Sequence, residues 1–443
     1  MIVPRTRLLL WVALIVLPFA AAGATIPGAL PVAVLLIAGL LALAVGDALA
    51  ARRQAGGVRV HLPESTRLLK DRPGYLAVRI ENTSLTARSI RLGFEFPREI
   101  STDSDDRIVE LPEGAPFARL EWPVTPTRRG RYFLERAYLE TVSPLGFWGA
   151  RTSLAARSEL KVYPNLMRER KHVAALFLKR GQIGVRAQRQ VGQGREFEKL
   201  RDYIPGDSYD EIHWKASAKR GRPVTKVFQV ERTQEVYVII DRSRLSARAA
   251  GVDPTDETTL ERSIAAGLIV GAAAEKRGDL FGLAAFSDQV DAFVRARNGK
   301  AHYAACRDAI YQLHPKAVTP DFDEIATFLR LRLRRRAMVL FLTSLDDPVL
   351  AENFARATKL LARRHLVLAG MLRPPAAHRL FEQDVETADD VYRGLAGHIA
   401  WRRLKELEAS LARQGVRLSV MEPEGFSSAL IGIYDSVKQR QLL

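Results

Sequence analysis

The rhythm of hydrophobic positions changes along this chain and divides it into four parts. Leu8 to Ala24 and Ile26 to Val45 are almost continuously apolar. Each is near the lower end of the about 17–25 residues that cross a bilayer. They meet at GATIPGA, whose glycines and proline suit a tight turn. The pattern predicts two transmembrane helices, a hairpin, over residues 1–54. From 55 to 164 the apolar positions alternate in short runs: VRVHLPES, GYLAVRIENTS, SIRLGFEFP, ARLEWPVTPTRRGRYFLERAYLETVSP and SELKVYP. Pro, Gly, Asn and Ser separate them, the mark of an antiparallel β-sandwich. Within it, RRGRY reads as a turn into a strand, and SPLGFWG (143–149) as a Pro-Gly corner carrying Phe147 and Trp148. Such a module binds proteins or spaces the next domain from the membrane. Residues 165–231 are polar and charged. From 232 to 443 buried-strand runs (EVYVIID, LFGLAAFSD, AMVLFLTS, HLVLAGML, VRLSVMEP) alternate with helical segments near 258–277, 300–313, 321–335, 348–364, 397–414 and 427–441. VDAFVR adds a short edge strand. That alternation predicts an α/β domain with a mostly parallel sheet covered on both faces.

Charge refines the picture. Arg5 and Arg7 flank one end of the hairpin, Arg52 and Arg53 the other, so the positive-inside rule puts both ends and all that follows in the cytoplasm. A cleaved signal peptide, with AAAGA as a small-residue site, is the alternative for the first segment. The formal net charge of +17 is spread along all 443 residues. With no zinc-finger spacing, aromatic RNA-binding signature or basic zipper, it predicts no nucleic acid and a contact with inner-leaflet anionic lipid. The basic run 168–195, with RERK and LKRGQIGVRAQRQ, is the natural place for it. The single Cys306 leaves no internal disulfide and no thiol cluster for a metal.

The densest chemistry is GREFEKLRDYIPGDSYDEIHWKASAKRGRP, from Gly194 to Pro223. Pro205-Gly206 suits a type II turn. Ser208-x-x-Glu211 has the form of a capping box. A helix of roughly three turns is predicted behind it, with Ile212 and Ala216 on one face, Lys219 and Arg220 at its C-terminus and Gly221 beyond it. Trp214 reads as a packing anchor, and Arg201, Asp202 and Asp207 as an internal charge network that orders a junction. His213 has no nucleophile beside it, and GQGREF is too short for a phosphate loop. No G-x-S-x-G, H-E-x-x-H or Walker pattern is present. The stretch is expected to be a structural hub and the chain not to be an enzyme. A membrane-bound hydrolase acting on envelope precursors, using His213 and nearby carboxylates, is the competing reading.

Two loops at predicted strand and helix ends carry hard oxygen ligands of the kind Mg²⁺ takes: DRSRLS with Asp241 and Ser243, and VTPDFDEI with Thr319. GREF, LRDYIPGD, IHWKASAKRGRP and FQVER, with GRYFLERAYLETVSPLGFWGAR and LKVYPNL upstream, resemble the DUF58 family. The α/β domain resembles the von Willebrand factor A domain those proteins carry, so the resemblance implies a multidomain chain of transmembrane hairpin, β-sandwich and Rossmann-like von Willebrand A-type domain. Arg201, Asp202, Tyr203, Pro205, Gly206, Asp207, Trp214 and Lys215 fall in the signature, as its structural hub. Asp210 and Glu211 stand where the family often has basic residues. The metal-ion-dependent adhesion site of A domains has D-x-S-x-S, a Thr and a later Asp. Asp241 and Ser243 match it and Thr319 matches the Thr. Leu245 replaces the second Ser beside Ser246, and Ser344 takes the late Asp position with Asp346 two residues on. The implied site is a degenerate one, with Mg²⁺ the only candidate cofactor. The implied role is an adaptor at the bacterial inner membrane, partnered by a MoxR-type AAA+ ATPase and by other membrane or envelope proteins in chaperone-like assembly.

Overall fold

The computed structural model describes residues 1–26, 28–83, 88–112, 115–167, 191–205, 208–229, 234–251, 253, 256–380, 382 and 387–440. The chain forms two compact units, Met1–Asn165 and Leu166–Leu443. The hairpin and the sandwich thus form one unit, and the signature region and the α/β domain the other.

The first unit opens with strand β1 (Ile2–Pro4), then α1 (Thr6–Thr25) and α2 (Leu30–Gly56). Both helices are long and apolar enough to cross a membrane. A π-turn at Val12–Val16 precedes Pro18, whose nitrogen has no hydrogen to give the helix. At about 1.5 Å per residue α2 reaches about 40 Å, more than a hydrocarbon core of about 30 Å. Its excess length is used inside the protein. Ala44, Asp47, Ala51, Gln54 and Ala55 recur at helical spacing and are buried, packing on Phe147, Trp148 and Ala150.

The strands that follow are β2 (Val58–His61), β3 (Ser65–Leu69), β4 (Gly74–Asn82), β5 (Ser89–Phe94), β6 (Ile100–Ser101), β7 (Asp106–Glu110), β8 (Phe117–Pro126), β9 (Gly130–Val142) and β10 (Trp148–Tyr163). One sheet runs β1-β10-β9-β5-β7, with β3 parallel to β10; the other runs β2-β4-β8-β6. Alternate side chains of both, among them Leu76, Ile80, Leu92, Trp122, Leu139 and Leu160, meet in one core. β1 pairs antiparallel with β10, Val3 opposite Gly149, and β2 follows α2 directly. Both ends of the hairpin therefore enter the same sandwich and lie on one side of any layer the helices cross. Cleavage at AAAGA would remove β1 from its sheet.

The SPLGFWG corner joins β9 to β10 and is fastened to α2 by one side chain. The buried Asp47 carboxylate accepts the Ser143 hydroxyl (2.5 Å) and the backbone N–H groups of Leu145 (2.9 Å) and Phe147 (3.2 Å). The Ser143 oxygen in turn accepts the Trp148 N–H (2.9 Å), and the Trp148 indole donates to the Ala44 carbonyl (2.7 Å).

The second unit comprises β11 (Val191–Asp202), α3 (Trp214–Arg220), β12 (Val224–Gln229), β13 (Glu235–Asp241), α4 (Thr259–Lys276), β14 (Leu280–Phe286), β15 (Val290–Arg297), α5 (Lys300–Ile310), α6 (Phe322–Arg332), β16 (Ala337–Leu342), α7 (Pro348–Ala362), β17 (Leu366–Leu372), α8 (Ala388–Arg413), β18 (Val416–Met421) and α9 (Phe426–Gln439). β11 and β12 form a separate antiparallel ribbon. The large sheet runs β15-β14-β13-β16-β17-β18, parallel except for the β15 edge. Val236, Val238 and Ile240 face α4, α5 and α9, while Tyr237 and Ile239 face α6, α7 and α8. Strands covered on both faces require the unbroken apolar runs seen in the sequence. α8 begins nine residues earlier than its periodicity predicts, at a capping box of Thr387 and Asp390.

Two stability predictions follow from buried groups. Asp47→Ala leaves the Ser143 hydroxyl and two N–H groups without their acceptor and is expected to cost about 2–4 kcal/mol. Thermal unfolding in detergent should show this, with Asp47→Asn intermediate. His365, at the start of β17, is buried with no hydrogen bond to either ring nitrogen among the described residues. Burial first, then Arg364 and Arg336, push its pKa down. The unfolded ring takes up a proton below about pH 6.5 that the folded ring resists. Stability from this group is thus full above that pH and is lost as pH falls, at no more than about 1.4 kcal/mol per pH unit. Urea midpoints measured from pH 7.5 to 5 should fall in the wild type and flatten in His365→Leu.

Candidate functional site

Parallel strands bring their C-terminal loops to one edge of the sheet, where ligands sit in open α/β sheets. Asp241 ends the central β13. Its Oδ1 accepts the Ser243 N–H (2.7 Å) and its Oδ2 accepts the Thr343 hydroxyl (2.6 Å). β13 and β16 run parallel with Ile240 opposite Leu342, so Thr343 follows β16 beside Asp241. Burial pushes the Asp241 carboxyl above its ordinary range, and the bonds from Thr343 and Ser243 pull it back. Ser243 Oγ accepts the Leu245 N–H (3.4 Å), the Ser246 hydroxyl donates to the Ser243 carbonyl (2.8 Å), and Leu245 is buried in the core.

Neighbouring loops are tied to this one. Arg244 N–H donates to Val318 O (2.9 Å), Lys316 N–H to Arg242 O (2.7 Å) and Asp321 N–H to Ser287 O (2.8 Å). The Ser287 hydroxyl meets Asp288 and Asp291, and Lys316 Nζ reaches Asp291 Oδ1 (2.7 Å). The Ser287 hydrogen bond, and then Lys316, hold the Asp288 carboxyl below its usual range.

Of the four expected ligands, the fold joins only Asp241 and Ser243. Thr319 is exposed, one residue past Val318. Asp346 is held by Arg248, whose Nη1 lies 2.7 Å from its Oδ2. The Ser246 hydroxyl beside Leu245 is directed at a backbone carbonyl. Among the described residues no group of three or more His, Cys, Asp or Glu is placed to hold a metal. Mg²⁺ demands about six oxygens in near-octahedral array; with Asp346 spent on a guanidinium and Asp241 on two protein donors, this donor set does not fit it. Thr343 was missed in the sequence, where its strand register with Asp241 leaves no local sign.

The signature stretch corrects several expectations. Ser208 makes no capping bond. Tyr209–Glu211 form one 3₁₀ turn, and Ile212 is a buried bridge residue opposite Thr225 rather than part of a helix. α3 begins at Trp214 with His213 as its cap: Nδ1 accepts the Ala216 N–H (3.1 Å). Lys219 and Arg220 end it and Gly221 follows at φ 69°, as expected. Trp214 is not a packing anchor; it is 69% exposed. Asp202 pairs with Arg222 (3.0 Å), and Arg201 Nη1 donates to the Asp202 carbonyl (3.5 Å). The Tyr203 and Tyr209 rings lie 6.3 Å apart. Pro205 and Lys215 are exposed. Gly206 and Asp207 lie outside the described residues, as does most of the basic run 168–195.

These features define an α/β unit entered through a two-stranded ribbon that carries a short capped helix. Residues 199–392, spanning part of the ribbon, that helix and most of the sheet, match the family described as DUF58, a protein of unknown function. No curated protein matches the chain. Proximal thread matrix protein 1 from the mussel byssus is similar over 45% of this chain and 44% of its own, at 10% identity and a TM-score of 0.26. An uncharacterized membrane spanning protein from Vibrio fischeri is similar over 46% of this chain and 98% of its own, at 12% identity and a TM-score of 0.18. The chain therefore spans less than half of the mussel protein, and at such scores neither structure bears on this fold.

If His213 serves the helix and not catalysis, His213→Ala should cost about 1 kcal/mol, and His213→Asn should restore most of it. Chemical denaturation of the purified protein measures both.

Proposed function

We propose that this protein is a membrane-anchored, non-catalytic adaptor that works with a MoxR-type AAA+ ATPase in chaperone-like assembly or maturation of other proteins. The observation that carries this reading is the sheet order β15-β14-β13-β16-β17-β18, with one antiparallel edge strand and the Asp241 loop at the end of its central strand. That arrangement supports a Rossmann-like von Willebrand A-type domain, a class that binds proteins at this face. The DUF58 match supports the family association. Arg5, Arg7, Arg52 and Arg53 support placing both units on the cytoplasmic side of a bacterial inner membrane, where anionic lipid lies within reach of a basic chain. In this adaptor the partner meets protein groups alone: the Asp241 loop is closed by Thr343 and Ser243, and no cation is assigned to it. The hydrolase reading draws no support from His213 Nδ1, which accepts the Ala216 N–H at the start of α3.

Affinity capture tests the proposal. Full-length protein, gently solubilised from native membranes with an ATP analogue and Mg²⁺, should retain an AAA+ ATPase identified by mass spectrometry. Asp241→Ala/Thr319→Ala should reduce retention at least several-fold if this face is the contact. Retention unchanged in that variant moves the contact elsewhere; no ATPase in either sample overturns the proposal.

A further inference from the structure

α8 is the second unit's longest helix, and its first half is uncovered. The helix buries only Gly397, Leu404 and Leu411. A Cβ on Gly397 would meet the His378 ring at 2.2 Å, so that side is pressed on the protein. On the far side Val391, Tyr392, Leu395 and Ile399 are 53%, 72%, 49% and 46% exposed. At about 100° per residue they form one stripe. Single exposed apolar residues are ordinary, but a contiguous helical stripe of them marks an interaction surface.

The charges at its ends identify the occupant. Asp389 lies six residues before Leu395 and Arg403 eight after it. Both are exposed, and neither has an ion pair among the described residues. On a helical projection they fall on the same flank of the stripe, about 40° apart. When two identical helices pair antiparallel, like flanks meet. Centred on Leu395, Asp389 of one copy then lies within about 3 Å of the level of Arg403 of the other. Val391 faces the second copy's Ile399, and Leu395 faces itself. A stripe flanked by an acid at one end and a base at the other is complementary to its own reversed copy, the requirement of a two-fold interface.

We propose that α8 pairs antiparallel with α8 of a second copy of this chain, about a two-fold axis beside Leu395. The contact uses none of the Asp241-loop residues and stands whether or not an ATPase binds there. One helix pair is small beside a standard interface of about 800 Å² per partner, and tethering both copies to one membrane raises their effective concentration.

Cysteine cross-linking of the full-length protein in its membranes tests this. The native thiol does not interfere: Cys306 is buried and its pKa is pushed up to about 12. Leu395→Cys should give a disulfide-linked dimer on mild oxidation, several-fold above Arg393→Cys on the opposite side of the same turn. Val391→Cys and Ile399→Cys, on differently tagged copies expressed together, should cross-link to each other more than Val391→Cys does to itself. In the Leu395→Cys background, Arg403→Asp should lower the yield several-fold and the further change Asp389→Arg should restore it. Three results overturn the proposal: a Leu395→Cys yield no higher than that of Arg393→Cys, Val391→Cys linking to itself as well as to Ile399→Cys, or a Leu395→Cys product at the mass of another protein.

Discussion

The first unit depends on one carboxylate. Asp47 sits two-thirds of the way along a helix otherwise built for lipid, where an ionisable group is costly unless paired. Here it is matched by a hydroxyl and two backbone N–H groups, all from one corner of five residues. Because the corner joins β9 to β10, the two longest strands, the bond fixes the helical anchor to the centre of a sheet and not to its rim. β1 reinforces it from the other end of the hairpin. The helices and the sandwich thus belong to one compact unit.

Asp241 follows the same logic in the second unit. A buried carboxylate at a strand end takes one backbone N–H and one hydroxyl, and so sets the path of the next loop. The surrounding hydroxyls are turned inward, Ser246 onto a carbonyl and Thr343 onto the acid. The charges that face outward, Arg248 with Asp346 and Lys316 with Asp288, are mutually paired at the surface, where such pairs contribute little stability.

How much of this was legible in the sequence depended on whether the determining contact was local. The apolar runs gave two helices and five buried strands, because span length and burial on both faces are written in consecutive residues. Alternation gave β2, β4, β5, β8, β9 and the end of β10. β1 was hidden because three residues carry no period, and β7 because its residues are half-exposed on both faces. Ser208 and Glu211 have the right spacing for a box, yet the chain turns at Tyr209–Glu211 and pairs Ile212 with Thr225, so the cap passes to His213. Nothing local announces that choice; it depends on β12, a dozen residues later. Trp214 misled for the same reason, since a large aromatic says nothing of which way its helix faces. Asp47 was passed over inside an apolar run, and SPLGFWG was seen as a corner without its partner about a hundred residues upstream.

The two acids and the α8 stripe together constrain where partners can act. Asp47 and Asp241 direct their hydrogen bonds at the protein's own turns. What the described surface offers instead is shape and apolar area: Trp214 and Tyr209 on the ribbon and Val391 to Ile399 on α8. Leaving such groups in water is unfavourable unless something covers them at least part of the time. A small apolar patch with a charged rim gives weak, reversible contact, and in a chain held to a surface weak contacts suffice, because tethering supplies much of the entropy that free association would have to meet. For the adaptor proposed above, two modest patches would supply contacts that form and release.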